Sequence, residues 1–367
     1  MTAFVPSENR VRFDSLDSLR FLAATAVLIS HAEAMQPWPQ LTIISESGLL
    51  HPKSAVAFFF ALSGFVLHLS CRGTLPTLRS FGLFMVRRWF RIYPLYFVSL
   101  IFSVIVLSCL PLKDCPRFDS DSAGAEVLLR NHRDIIQWVH HAFLITPGLD
   151  MQFLNPPIWT LAAEIRIALI FPWLSFIFNM LSFSRGIILM TVMFVLAPWV
   201  AQKTLPTVAL IPLFGLGTLA AQHRHRFTKM SGSSAWLMML AGVLIYSFSS
   251  SLRGNSLSSQ SLHMYLAGFG SIILLLAVLQ IALLRQLLEH RWLVFGGRAS
   301  YGVYILHFPL LMGIAYYSWR SEWSSWLFML VGFVVVVAIA SALYWLFELP
   351  MIRAGRIFSD RYFSPNL

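Results

Sequence analysis

The chain reads as an all-α, polytopic membrane protein with about ten transmembrane helices, and three features of the sequence predict this. Of its 367 residues, 57% are hydrophobic and 12% are charged, whereas soluble domains carry about 25% charged residues. The mean hydropathy is +0.70. Apolar runs of membrane length recur from one end to the other, and the remaining charges gather in short loops. No internal repeat, low-complexity tract or long hydrophilic stretch marks a second domain. Residues 1–367 therefore read as a single membrane domain with no appended extracytoplasmic domain.

The spans fall at approximately 16–34, 54–71, 91–110, 157–180, 186–202, 205–222, 235–251, 261–284, 300–318 and 324–347. An even number places both termini on one side. Of the 27 Lys and Arg residues, eighteen lie on that side, eight on the other, and Arg166 lies inside a span. The positive-inside bias then makes the N- and C-termini cytosolic. It also accounts for the net charge of +11, which in a soluble protein would point to nucleic acid. No basic–aromatic module interrupts the spans, so nucleic acid is not an expected partner, and membrane lipid is.

The first span, "DSLRFLAATAVLISHAEA", holds Arg20 and His31. Eleven helical steps of about 100° bring both to one face, roughly 16 Å apart along the axis. Ionisable groups on one stripe inside a membrane mark a pathway or a site. A rival reading, a signal peptide cleaved after "AEA", suits the acidic preceding region poorly: Glu8, Asp14 and Asp17 lie in it. The third span opens with "RRWFRIYPLYF", where Arg88 and Arg91 share a face beside Arg87. Guanidinium forks at a cytosolic surface suit a phosphate-bearing ligand, and they equally suit lipid phosphates as a plain anchor.

The outer loop 111–156 ends in "DIIQWVHHAFLITPGL", too short to span and better suited to an interfacial or re-entrant element. Span four holds Glu164 and Arg166, which point about 200° apart and need partners on other helices or in a wet cavity. Spans five to eight are apolar. Span nine carries Ser300, Tyr304 and His307 at i, i+4 and i+7, a polar stripe running inward. Span ten closes with "FELP", where Glu348 reads as an interfacial charge. Cys109 and Cys115 flank an outer end, where they would pair in an oxidising compartment or stay as two thiols. His140 and His141 lack metal-ligand spacing with a nearby carboxylate, so no metal is expected.

Taken in order, these motifs resemble the acyltransferase 3 family of integral membrane O-acyltransferases of the surface-polysaccharide acetylase type. The likeness rests on "LDSLRFLA" with His31, "FFFALSGFVL", "RRWFRIYPLYF", "IWTLAAEI", "ASYGVYILHFPL" and "FELP", across nearly the whole chain. Departures from the family pattern are Ser18 and Phe21 in place of glycines, Thr160 in place of serine, Ile167-Ala168 in place of Phe-Tyr, and Arg166. The resemblance implies transfer of an acyl group, commonly acetyl, from cytosolic acetyl-CoA or another acyl-CoA to an extracytoplasmic carbohydrate hydroxyl. The acceptor would be a surface polysaccharide or its lipid-linked precursor.

On that reading His31 is the general base, since imidazole titrates near neutral pH. Arg20 holds the donor or a developing negative charge, and Glu164 and His307 orient the acceptor or His31. Arg87, Arg88 and Arg91, with Ser300 and Tyr304, line the donor. The expected location is the cell (inner or plasma) membrane, with the oligomeric state left open. The alternatives are a transporter or flippase that uses the same buried charges, and a non-catalytic subunit of a polysaccharide export machine.

Overall fold

The computed structural model describes residues 14–40, 44, 47–71, 75–111, 115, 144, 155–227, 232–252 and 254–363. Among them no strand occurs. The helices are α1 (Asp14–Met35), α2 (Pro52–Cys71), α3 (Leu78–Cys109), α4 (Ile158–Met180), α5 (Phe183–Lys203) and α6 (Ile211–His223). They continue as α7 (Gly232–Ser249), α8 (Leu257–Gln280), α9 (Ala282–Leu288), α10 (Arg291–Arg320), α11 (Ser325–Leu343) and α12 (Leu349–Phe363). A π-helical turn, Tyr344–Glu348, joins the last two into one continuous helix.

Helices cover all ten predicted spans, and among the described residues eight are long and apolar enough to cross a membrane. Span one and span six fall short for different reasons. α1 has 22 residues, but Asp14, Asp17, Arg20, His31 and Glu33 lower its hydropathy. Span six is broken: a 3-10 turn at Pro206–Leu210 precedes α6, whose 13 residues reach only about 20 Å. Pro206 and Pro212 each open a helical segment, because proline supplies no N–H and fits best in a first turn.

Boundaries moved most where charge interrupts hydropathy. α3 begins at Leu78 rather than near residue 91, so Arg88 lies about 15 Å along the helix instead of at its opening. Thr77 caps it, accepting from the Ser80 backbone N–H while Ser80 Oγ bonds back to the Thr77 N–H. α10 likewise begins at Arg291, not 300. The element expected around His140 and His141 lies outside the described residues, apart from Leu144. Cys109 is an exposed free thiol, so a Cys109–Cys115 disulfide is not formed.

The main core gathers buried side chains such as Leu28, Phe60, Tyr96, Phe171 and Phe308 from α1 to α4 and α10. A smaller one, with Phe65, Phe178, Leu219 and Leu275, lies between α2, α4, α6 and α8. α2 and α6 cross almost backbone to backbone. A Cβ on Gly64 would lie 2.1 Å from the Phe214 carbonyl oxygen, and one on Gly217 would lie 1.8 Å from that of Ala61. Small residues allow this approach where lipid offers no hydrophobic drive between helices. α5 and α7 turn Ile188, Val195, Leu237 and Phe248 outward, an apolar surface that suits lipid.

Candidate functional site

The site is built where α10 packs along α1. Gly296 and Gly297 make the close approach possible: a Cβ on Gly297 would lie 2.2 Å from the Asp17 carbonyl oxygen, and one on Gly296 would lie 2.7 Å from the Phe21 ring. Phe21 and Ser18 therefore have structural work. Phe21 covers Gly296, and Ser18 Oγ donates to the Leu288 carbonyl.

Farther along the same pair of helices, His31 meets His307 with ring centroids 5.3 Å apart and planes tilted by 31°. The Phe308 ring stands edge-on to His31 at 5.5 Å. His307 is fully buried, and His31 is partly exposed. His307 Nδ1 lies 2.6 Å from the Tyr304 carbonyl oxygen. A carbonyl only accepts, so Nδ1 carries the ring proton and the neutral imidazole keeps its lone pair on Nε2. That Nε2 is buried and has no hydrogen-bond partner among the described residues. A buried acceptor without a donor is costly and calls for an explanation.

The surrounding polar groups are held by what the helices lack. Pro309 lies inside α10 and offers no N–H to the Ile305 carbonyl. Asn155, just before α4, donates Nδ2 to that carbonyl at 2.7 Å, and its own buried Oδ1 has no partner among the described residues. Thr160 Oγ1 donates to the Pro157 carbonyl at 2.8 Å. Its single proton is thereby used, so the Tyr304 hydroxyl, 2.9 Å away, is the donor to Thr160. Ser300 donates to the Gly297 carbonyl one turn back at 2.7 Å, a bond within its own helix.

A charged layer lies among the same helices. Arg20 Nη1 bonds Asp17 Oδ1 at 3.1 Å and also interacts electrostatically with Arg91 and Glu164. Arg88 is buried and pairs with Glu164. Arg87 reaches α12, bonding Ser359 Oγ at 3.0 Å and Asp360 Oδ1 at 2.6 Å. Arg88 and Arg91 thus do not form one exposed fork pair: Arg88 is turned inward, and Arg91 stays exposed. Glu164 and Arg166 point apart as their spacing requires, Arg166 Nη1 bonding Thr207 Oγ1 at 3.1 Å.

Glu348 corrects an expectation. It is no interfacial charge but 2% exposed, and neither carboxylate oxygen has a hydrogen-bond partner among the described residues. Arg91 and Tyr301 are its electrostatic neighbours. It sits on the π-helical turn, two residues before Pro350, where the missing N–H helps to break the regular ladder. Asn155 is the polar residue that the sequence reading does not single out, and Glu348 is one that it places at the interface. Their proline neighbours, "NPP" and "FELP", were the available signals.

The arrangement offers a lone pair on a fixed imidazole beside a second, more accessible imidazole, and cations that could hold an anionic ligand. Among the described residues no group of three His, Cys, Asp or Glu side chains could hold a metal ion. A family model described as an acyltransferase domain matches residues 13–345. The comparisons with curated proteins and with solved structures give no match.

Proposed function

Since this chain belongs to the acyltransferase 3 family and is therefore a multi-pass membrane acyltransferase, we propose that it moves an acetyl group from cytosolic acetyl-CoA to a hydroxyl of an extracytoplasmic carbohydrate. The observation that carries this reading is the His31–His307 pair, with its unpartnered Nε2. A small turn of His31 brings one ring N–H to His307 Nε2 and leaves the other nitrogen free as a base. His307 is then the positioning residue, its own tautomer set by the Tyr304 carbonyl.

His31 takes the proton as the acceptor O–H bond breaks, and the oxygen bonds to the acyl carbon of the thioester. The carbon–sulfur bond then breaks, and the CoA thiolate leaves with the proton that His31 carried. Arg20 and Arg91 supply positive charge for the donor or for the negative charge that develops on the carbonyl oxygen. Arg88, engaged by Glu164, acts on the donor only through that pair. A polyanionic CoA ester cannot cross hydrocarbon, which supports a cell-membrane enzyme that draws on the cytosol.

The test is CoA-thiol release by purified protein given acetyl-CoA and a surface glycan, with mass spectrometry for one acetyl mass on the glycan. Arg91→Ala should raise KM for acetyl-CoA about tenfold or more and change acceptor KM little. A transporter with the same buried charges would release no thiol, and that result would overturn the proposal.

A further inference from the structure

A separate polar cluster lies where the turn before α2 meets the start of α8. In the turn Ser47–Leu50, Gly48 takes φ +83°, and a Cβ there would lie 2.4 Å from the Ser247 carbonyl oxygen. The turn therefore lies flush against the end of α7 and sets His51 and the first turn of α2 in place. Ser54 is fully buried, with its Oγ 3.0 Å from His263 Nε2 and 3.3 Å from Ser249 Oγ.

Ser249 donates its proton to the Tyr246 carbonyl at 2.6 Å. Ser54 therefore donates to Ser249 and accepts from the N–H on His263 Nε2. This chain fixes the His263 ring, and the His51 ring packs against it at 4.6 Å. Beyond the two rings opens a pocket of about 240 Å³ lined by His51, Lys53, Gly254, Asn255, Gln260 and His263.

The lining has one permanent cation, two imidazoles and two side-chain amides, and among the described residues it has no carboxylate and no aliphatic side chain larger than the Lys53 stem. Ligand clefts for drug-sized molecules are mostly apolar and span about 300–1,000 Å³, so this pocket is both smaller and more polar. We propose that it is a second binding site, for one small hydroxylated oxyanion such as the carboxylate-bearing ring of an acidic sugar. Lys53 supplies the charge for the carboxylate, and Asn255 and Gln260 offer both donors and acceptors to ring hydroxyls. Lys53 lies on the side that the charge bias makes extracytoplasmic, where the acceptor glycan of the proposed reaction would be. Binding at the pocket does not depend on that reaction.

The test is calorimetry on the full-length protein in nanodiscs, titrated with glucuronate, glucose and inorganic phosphate. Glucuronate should bind saturably, and glucose at least tenfold more weakly. Lys53→Gln and, separately, the exposed Asn255→Ala should each weaken glucuronate binding several-fold at unchanged Tm, while His307→Gln should not. Absence of saturable glucuronate binding overturns the proposal. So does glucose or phosphate binding as tightly as glucuronate, or glucuronate binding that both pocket variants retain in full.

Discussion

The charged layer, on α1, α3, α4 and α12, and the histidine layer, on α1, α4 and α10, share helices, yet they treat most of their polar groups in different ways. In the charged layer, three arginines find carboxylates within the protein: Arg20 with Asp17, Arg88 with Glu164, and Arg87 with Asp360. Glu348 is the exception, without a hydrogen-bond partner among the described residues. In the histidine layer, His307 Nε2 and Asn155 Oδ1 are buried and have no partners among the described residues. A satisfied polar group holds helices together, whereas an unsatisfied one carries a desolvation cost that a bound substrate or water relieves. The contrast separates residues expected to govern stability from residues expected to govern reaction.

The sharpest way to break that contrast is at the histidines. His31→Gln and His307→Gln should each cut acyl transfer about 10²- to 10⁴-fold while Tm stays near wild type, read by thiol release and by thermal unfolding. Full activity in His31→Gln would make this histidine a packing residue. Arg88→Ala should do the reverse. It strands Glu164 in a largely buried setting and should cost stability at the lower end of the roughly 3–5 kcal/mol seen for broken buried pairs. Arg88→Met combined with Glu164→Leu should recover much of that loss.

Asn155→Leu sits between the two classes, because one of its amide atoms is bonded and the other is open. Orphaning the Ile305 carbonyl should cost about 1–3 kcal/mol, and kcat should fall as well. The smallest effect belongs to Thr160. Thr160→Val removes the acceptor of the Tyr304 hydroxyl and should cost about 0.5–1.5 kcal/mol, whereas Thr160→Ser keeps the hydroxyl and should be nearly silent. A loss from Ser with none from Val would mean that the methyl group matters and the bond does not.

Much of the fold was legible because hydropathy reports directly on lipid: a helix was present at each of the ten predicted spans. The reading failed where one-dimensional hydropathy averages out a charge that the third dimension accommodates. Arg87, Arg88 and Arg91 depress the local average, so the start of α3 was placed thirteen residues late, although Glu164 and Asp360 take up two of these cations. The same blindness left Glu348 at the interface, when the π-helical turn buries it.

Within the site, helical periodicity placed Arg20 and His31 on one inward face, and α1 does carry them to their partners. It also put Ser300, Tyr304 and His307 on one stripe. Periodicity cannot say which polar atoms stay unpaired, because that depends on a neighbouring helix and on a proline four residues away. For that reason Asn155 was invisible until α4 and α10 were seen together.

The pairing of Arg87 with Asp360 also sets a clock on how the chain comes into being. The two residues are separated by 273 positions and the Arg88–Glu164 pair by 76. At about 5–20 residues per second, Glu164 follows Arg88 out of the ribosome after about 4–15 s, and Asp360 follows Arg87 only after about 14–55 s. During that interval Arg87 must rest in the insertion machinery or at the lipid headgroups, where guanidinium groups find phosphate. α12, the last of the described helices, is thus the one that lets Arg87 settle, so synthesis halted before α12 should yield inserted helices that the cell's quality control removes.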